Sequence, residues 1–217
     1  TNVVFGDGIT SISSAEFKNC TSLTSMVIPD GVTSIGEQAF VNCEHLTRVV
    51  IPDSVTSIGD KAYYGCKNLT SVVIGKGVAS IGNSAFANCY KLVEVYNLSQ
   101  LNITEGSKEN GYAGYNALNV YTPNSGEKKT FTTEDGFIFY DDGETRYLLG
   151  YIGKETDIVL PENCNGYGYE IYKQAFASCK NLSSVEIGNG VTSIGYQAFY
   201  CCTSLTSVVI GNGVTSI

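Results

Sequence analysis

VTSIGEQAFVNCEHLTRVVI at residues 32–51 is followed by VTSIGDKAYYGCKNLTSVVI at residues 55–74, one pattern repeated with a period of 23. A fixed period outranks local propensity, because each copy is one structural unit that buries its apolar face on the next. Outward from this pair, Ile12, Ile35, Ile58 and Ile81 keep the spacing, as do Phe17, Phe40, Tyr63 and Phe86, and Leu23, Leu46, Leu69 and Leu92. The pattern returns at Ile171, Phe176 and Leu182, again at Ile194, Phe199 and Leu205, and closes at Ile217.

Within the unit, LTSMVI, LTRVVI, LTSVVI and LSSVEI place apolar residues at relative positions 1, 4 and 6 with β-branched residues between, as in the LxxLxL strand of leucine-rich repeats. The spacing predicts parallel strands near 23–28, 46–51, 69–74, 92–97, 117–122, 155–160, 182–187 and 205–210. Strands stacked about 4.8 Å apart turn every equivalent side chain into a ladder. Glycines such as Gly36, Gly59, Gly82 and Gly195 fall where the coil must turn. AFxxC is too short for a full helix and predicts one helical turn whose aromatic plugs the core. The fold class expected is a leucine-rich repeat solenoid of the α/β horseshoe class, mainly parallel β with short helical turns.

The middle of the chain departs from the period, since Ile81 to Ile171 spans 90 residues. Strand centres restore continuity: Val49, Val72, Val95, Val120, Ile158, Val185 and Val208 are separated by 23, 23, 25, 38, 27 and 23 residues. The expectation is therefore one continuous solenoid over 1–217, with regular repeats at 1–98 and 171–217 and irregular turns at 99–170. GFIFYDDGETRYLLGY predicts an inserted β-hairpin near 136–151, projecting from the coil, because two β-rich runs flank Asp142-Gly143.

The unit VTSIGxxAFxxCxxLTSVVIP, with cysteine at the turn where other leucine-rich repeats often carry asparagine, resembles the BspA-like group of leucine-rich repeats. The match is close over 12–95 and 171–217, and TTEDGFIFYDDGETRYLLGYIGKETDIVLP is similar to an insert common in that group. The resemblance implies a bacterial surface or secreted protein of the kind several of which are adhesins toward host matrix proteins or other microbes. It implies no ligand, and no motif of defined chemistry carries over to single residues.

The chain has 13 basic and 21 acidic residues, a net charge of −8, which repels phosphate backbones and anionic lipid. No apolar run reaches the length of a membrane span, and the first residues lack the basic lead and apolar stretch of a signal peptide. The closing string GVTSI equals residues 31–35, which reads as a cut within a repeat, with any targeting segment removed.

Six of the eight cysteines (Cys20, Cys43, Cys66, Cys89, Cys179 and Cys202) share one repeat position, which predicts buried, reduced thiols instead of a disulfide framework; Cys164 and Cys201 lie off the ladder. The one histidine, His45, occupies a variable repeat position, so nucleophile and base pairings have little material and no catalytic residue is assigned. Glu134, Asp135, Asp141, Asp142 and Glu144 cluster at the hairpin; a glycosidase pair or a calcium site competes there with plain turn chemistry, which is preferred. No metal and no cofactor is expected. Asn-x-Ser/Thr occurs at Asn19, Asn68, Asn97, Asn102 and Asn181, but the NLT and NCT strings belong to the repeat consensus, so glycosylation is not a separate inference. Ten of the fifteen tyrosines fall in 96–172, suited to recognition or to filling irregular turns, with packing preferred.

Alternation in LxxVxI turns relative positions 3 and 5 outward. Position 5 holds Val27, Val50, Val73, Tyr96, Glu186 and Val209; Arg48 and Glu94 at position 3 flank this stripe with charges of both signs. An exposed apolar strip on the expected concave face is a candidate binding surface, against the plainer reading that valine favours strands. The function expected is a non-enzymatic cell-surface or secreted binding module, engaging an extracellular protein or glycan and not nucleic acid. The alternative is a structural spacer displaying another domain.

Overall fold

The computed structural model describes residues 2, 3, 5, 8–122 and 129–217. They form two compact units, Thr1–Lys128 and Lys129–Ile217.

In the first unit the β-branched LxxVxI segments form short parallel strands: Ser25–Met26 pairs with Asn2–Val3, and Arg48–Ile51, Ser71–Ile74, Glu94–Asn97 and Asn119–Tyr121 pair in sequence order. The register sets Val49 opposite Val72, Val72 opposite Val95, and Val95 opposite Val120, so the 25-residue step ends where the strand centres require. Four of the coils contribute a second strand, from the TSI segment or its ASI equivalent at 79–81. Ser11–Ile12, Ser34–Ile35, Ser57–Ile58 and Ser80–Ile81 form a second parallel sheet that sequence reading did not anticipate. Serine and threonine hide the alternation there, but one inward isoleucine per coil suffices: Ile12, Ile35 and Ile58 are buried.

The AFxxC segments are not helical turns. Gln38 and Asn42 take φ of +55° and +56°, as do their equivalents in other coils, which aims alternate amides along the stack. The amides of Gln38, Phe40 and Asn42 donate to the carbonyls of Asp60, Ala62 and Tyr64 in the next coil at 2.9, 2.7 and 2.8 Å, while Val41 and Cys43 close local turns. Coil-to-coil bonding satisfies these groups better than a helix of one turn, most of whose polar groups have no internal partner. The aromatic plug is as expected: Phe17, Phe40, Tyr63 and Phe86 stack with centroids 5.1–5.2 Å apart and planes within 9°.

In the second unit Asp157–Val159, Ser184–Ile187 and Ser207–Ile210 make a parallel sheet with Ile158, Val185 and Val208 in register. The inserted hairpin exists, Phe137–Asp141 against Arg146–Tyr151, but it does not project. Arg146–Tyr151 pairs in parallel with Tyr169–Ile171, which pairs with Val191–Ile194, and Thr130–Thr132 adds at the other edge. The reason is burial: Phe137, Ile138, Phe139, Tyr140, Leu148 and Leu149 are all inside, and a projecting hairpin would leave them in water. The tyrosines here mainly pack; Tyr169 meets Phe139 edge-on at 5.0 Å and Tyr147 meets Tyr172 at 5.0 Å. Residues 123–128, between Val120 and Ile158 in the run of strand centres, lie outside the described residues.

Candidate binding surface

Six of the eight predicted surface residues lie in the first unit, Val27 directly after the strand Ser25–Met26 and the other five within strands. Val27 is 79% and Val50 46% exposed, Val73 and Tyr96 are half-buried, and Arg48 is exposed. Register aligns Val50, Val73, Tyr96 and Tyr121 across four neighbouring strands. The Tyr96 and Tyr121 rings stack at 4.7 Å, so an aromatic pair closes the valine row.

Glu94 corrects the expectation. It occupies position 3 as predicted but is fully buried, and Ser71 beside it is buried too. Alternation fixes the direction of a side chain, not its depth, and an outward residue is covered when large neighbours crowd the same patch. Tyr96 shares this patch: desolvation pushes its hydroxyl up to about 12, the Glu94 carboxylate acts in the same sense, and Arg48 opposes it. Arg48 therefore flanks the strip as an exposed charge, whereas Glu94 does not.

Glu186 and Val209 lie in the second unit, opposite each other on neighbouring strands, with Val159 next in the row. Val159 is 61% and Val209 57% exposed, and the glutamate between them interrupts the apolar character.

Val27, Val50 and Val73 line a groove of about 670 Å³, floored in part by Met26 and Ile51. Its margin is formed by Asp30, Pro52, Asp53 and Ser54 from the turns that follow the strands. Sequence reading passed over Asp30 and Asp53; the signal was the Ile-Pro-Asp string at 28–30 and 51–53, directly after two of the exposed valines. Lys76 holds Asp53 from the next coil, with its ammonium 2.9 Å from Oδ2 and its amide donating to Oδ1 at 2.9 Å. These contacts, the side-chain bond foremost, lower the Asp53 carboxyl below its ordinary value.

Of the five hairpin carboxylates, Asp141 and Asp142 are engaged in turn chemistry, while Glu134, Asp135 and Glu144 are exposed. Asp142 Oδ1 accepts the amides of Glu144 and Thr145 at 3.0 and 2.7 Å, Oδ2 accepts the Tyr140 hydroxyl, and Asp141 Oδ1 accepts the Gly143 amide at 2.9 Å. Desolvation alone would raise the Asp142 carboxyl, but the Thr145 and Glu144 amides and the Tyr140 hydroxyl outweigh it and lower it. Arg146 clamps this turn, ion-paired with Asp141 at 3.4 Å and stacked 4.2 Å over the Tyr167 ring. His45 is exposed at its variable repeat position, where its Nδ1 meets the Thr21 carbonyl. Among the described residues, no three metal-ligating side chains cluster.

No two of the eight cysteines are joined by a disulfide. Cys43, Cys66 and Cys89 are buried and donate S–H to the carbonyls of Phe17, Phe40 and Tyr63 at 3.1–3.2 Å. The ladder is less uniform than its spacing predicts: Cys20 is exposed, and Cys179 and Cys202 are intermediate. A thiol at this position is covered by the coils on both sides of it, and Cys20 belongs to the first coil among the described residues. No helix among the described residues is long and apolar enough to cross a membrane.

Residues 1–109 and 151–217 match the family model for the BspA type leucine rich repeat region, in six copies. None of the curated proteins matches the chain. Among solved structures it is similar to a leucine rich cell surface protein from Faecalibacterium prausnitzii, at 26% identity over 95% of this chain and 62% of that one, with a TM-score of 0.43. It is similar to a leucine-rich repeat protein from Bacteroides ovatus at 24% identity over 98% and 55%, with a TM-score of 0.47. A third is the leucine rich repeat protein of T. pallidum, at 20% identity over 99% and 72%, with a TM-score of 0.43. The chain spans 62% and 55% of the length of the first two.

Proposed function

Because the chain belongs to the family of BspA-type leucine-rich repeats, we propose that it is a non-enzymatic binding module, displayed at a cell surface or secreted, that adheres to an extracellular partner through the valine row of its first unit. The observation that carries this reading is the exposure of Val27 and Val50 at 79% and 46% along an open groove of about 670 Å³. Apolar side chains kept in water along a row, beside a core already closed by Val49 and Ile51, add nothing to the interior. Their value lies in contact with something else.

The test begins with an array of matrix proteins and glycans probed with residues 1–217. The partner found is then titrated against a Val27→Asn, Val50→Asn double variant. Both positions are exposed, so circular dichroism should report an unchanged fold. Affinity should fall by roughly 30-fold or more, the size of a lost interface hot spot. Unchanged affinity in the folded double variant sinks this surface, and an array without a hit favours the spacer.

A further inference from the structure

Two carboxylates, Asp30 and Asp53, stand in the lining of the groove. Equivalent positions of successive coils hold Asp30, Asp53 and Lys76, one beside each of the three valines in the coil stack. Lys76 neutralises Asp53 across one coil step, at 2.9 Å. Asp30 stands one coil earlier and has Asp53, a second carboxylate, where Asp53 has the lysine. Among the described residues no ion pair reaches Asp30, which is exposed at the groove margin close to Val27, the most exposed of the valines.

An aliphatic side chain seated between Val27 and Val50 removes apolar surface from water on both partners. A lysine or arginine beside it lays its own apolar stem along the groove and places its charged head on Asp30, completing the row as Lys76 does for Asp53. A glutamate or a phosphate in that place meets like charge from Asp30 and from a chain of net charge −8. A neutral glycan supplies no cation for the row.

We propose that the occupant of the groove is a peptide segment of a partner protein in which an aliphatic side chain is followed by lysine or arginine, the first between Val27 and Val50 and the second on Asp30. This rests on the reading of the valine row as a docking surface.

Three fluorescein-labelled peptides, titrated by anisotropy against residues 1–217 at physiological salt, test it: Gly-Leu-Lys-Leu-Lys-Gly, Gly-Gly-Lys-Gly-Lys-Gly and Gly-Leu-Glu-Leu-Glu-Gly. The first should bind about tenfold tighter than either control, a difference of one well-placed apolar contact or one charge reversal. Asp30→Asn should weaken it two- to fivefold, about what one exposed ion pair contributes, and raised salt should remove that difference. Val27→Asn with Val50→Asn should bring it to the level of the leucine-free peptide. Equal binding of the leucine-free peptide, or unchanged affinity in Asp30→Asn, overturns the proposal. If the leucine-lysine peptide fails while an array-identified partner is still lost on Val27→Asn with Val50→Asn, the docking surface stands and the chemistry of its occupant assigned here falls.

Discussion

Cys43, Cys66 and Cys89 each donate S–H to the carbonyl of an aromatic residue one coil earlier, so the thiol is needed in its protonated form. Desolvation pushes the Cys43 thiol up to about 12 from 9.0, and burial raises Cys66 as well. A thiol whose folded pKa is raised contributes stability that is fully present below its unfolded value and is lost as pH rises toward the folded one. For Cys43 that window runs from about 9 to about 12, and each such thiol makes stability fall by about 1.4 kcal/mol per pH unit within it. Urea unfolding under reducing conditions from pH 8 to pH 10.5 should show this decline. Cys43→Ala should be less stable at pH 8, by about 1–2 kcal/mol for the lost packing and hydrogen bond, and should lose stability with pH less steeply, by about one proton. Parallel pH profiles for the two proteins would mean that the thiol proton is not what the fold depends on.

Glycines after the TSI strands limit how closely coils stack. A Cβ at Gly59 would lie 2.6 Å from the Glu37 amide nitrogen one coil away, and Gly36 and Gly82 meet backbone nitrogens at 2.6 and 2.5 Å. None of the three has positive φ, so local conformation is not the obstacle; the distance between coils is. Gly59→Ala should cost about 1–3 kcal/mol, the range of overpacking, and should do so by parting two strands of the TSI sheet. Gly143 offers the contrast, with φ of +97° and nothing within 4 Å of an added Cβ. Alanine there should cost about 1–2 kcal/mol through backbone strain alone and leave the coil stack untouched. Hydrogen exchange separates the two mechanisms: the Gly59 amide and its strand neighbours should lose protection in the first variant only.

For the whole chain, the run of strand centres through Val95, Val120, Ile158 and Val185 leads us to expect a single urea unfolding transition for residues 1–217, followed by circular dichroism and tyrosine fluorescence. Two non-coincident transitions would mean that the units Thr1–Lys128 and Lys129–Ile217 unfold independently. The period of 23 was enough to place the regular LxxVxI strands and to stack Phe17, Phe40, Tyr63 and Phe86, and aligning strand centres across the irregular steps of 25 and 38 residues put Val120 and Ile158 in strands. These follow from the sequence because periodicity dictates which side chains face inward, and inward apolar side chains dominate the folding free energy. Other features were decided only in three dimensions. The TSI sheet and the left-handed turns at Gln38 and Asn42 exist because coil-to-coil hydrogen bonds become available when coils stack. The hairpin lies in its sheet because the neighbouring strand lets it bury six residues. Glu94 is inside, and Asp30 and Asp53 join the groove, because depth and adjacency across coils depend on neighbours that a linear pattern does not bring together.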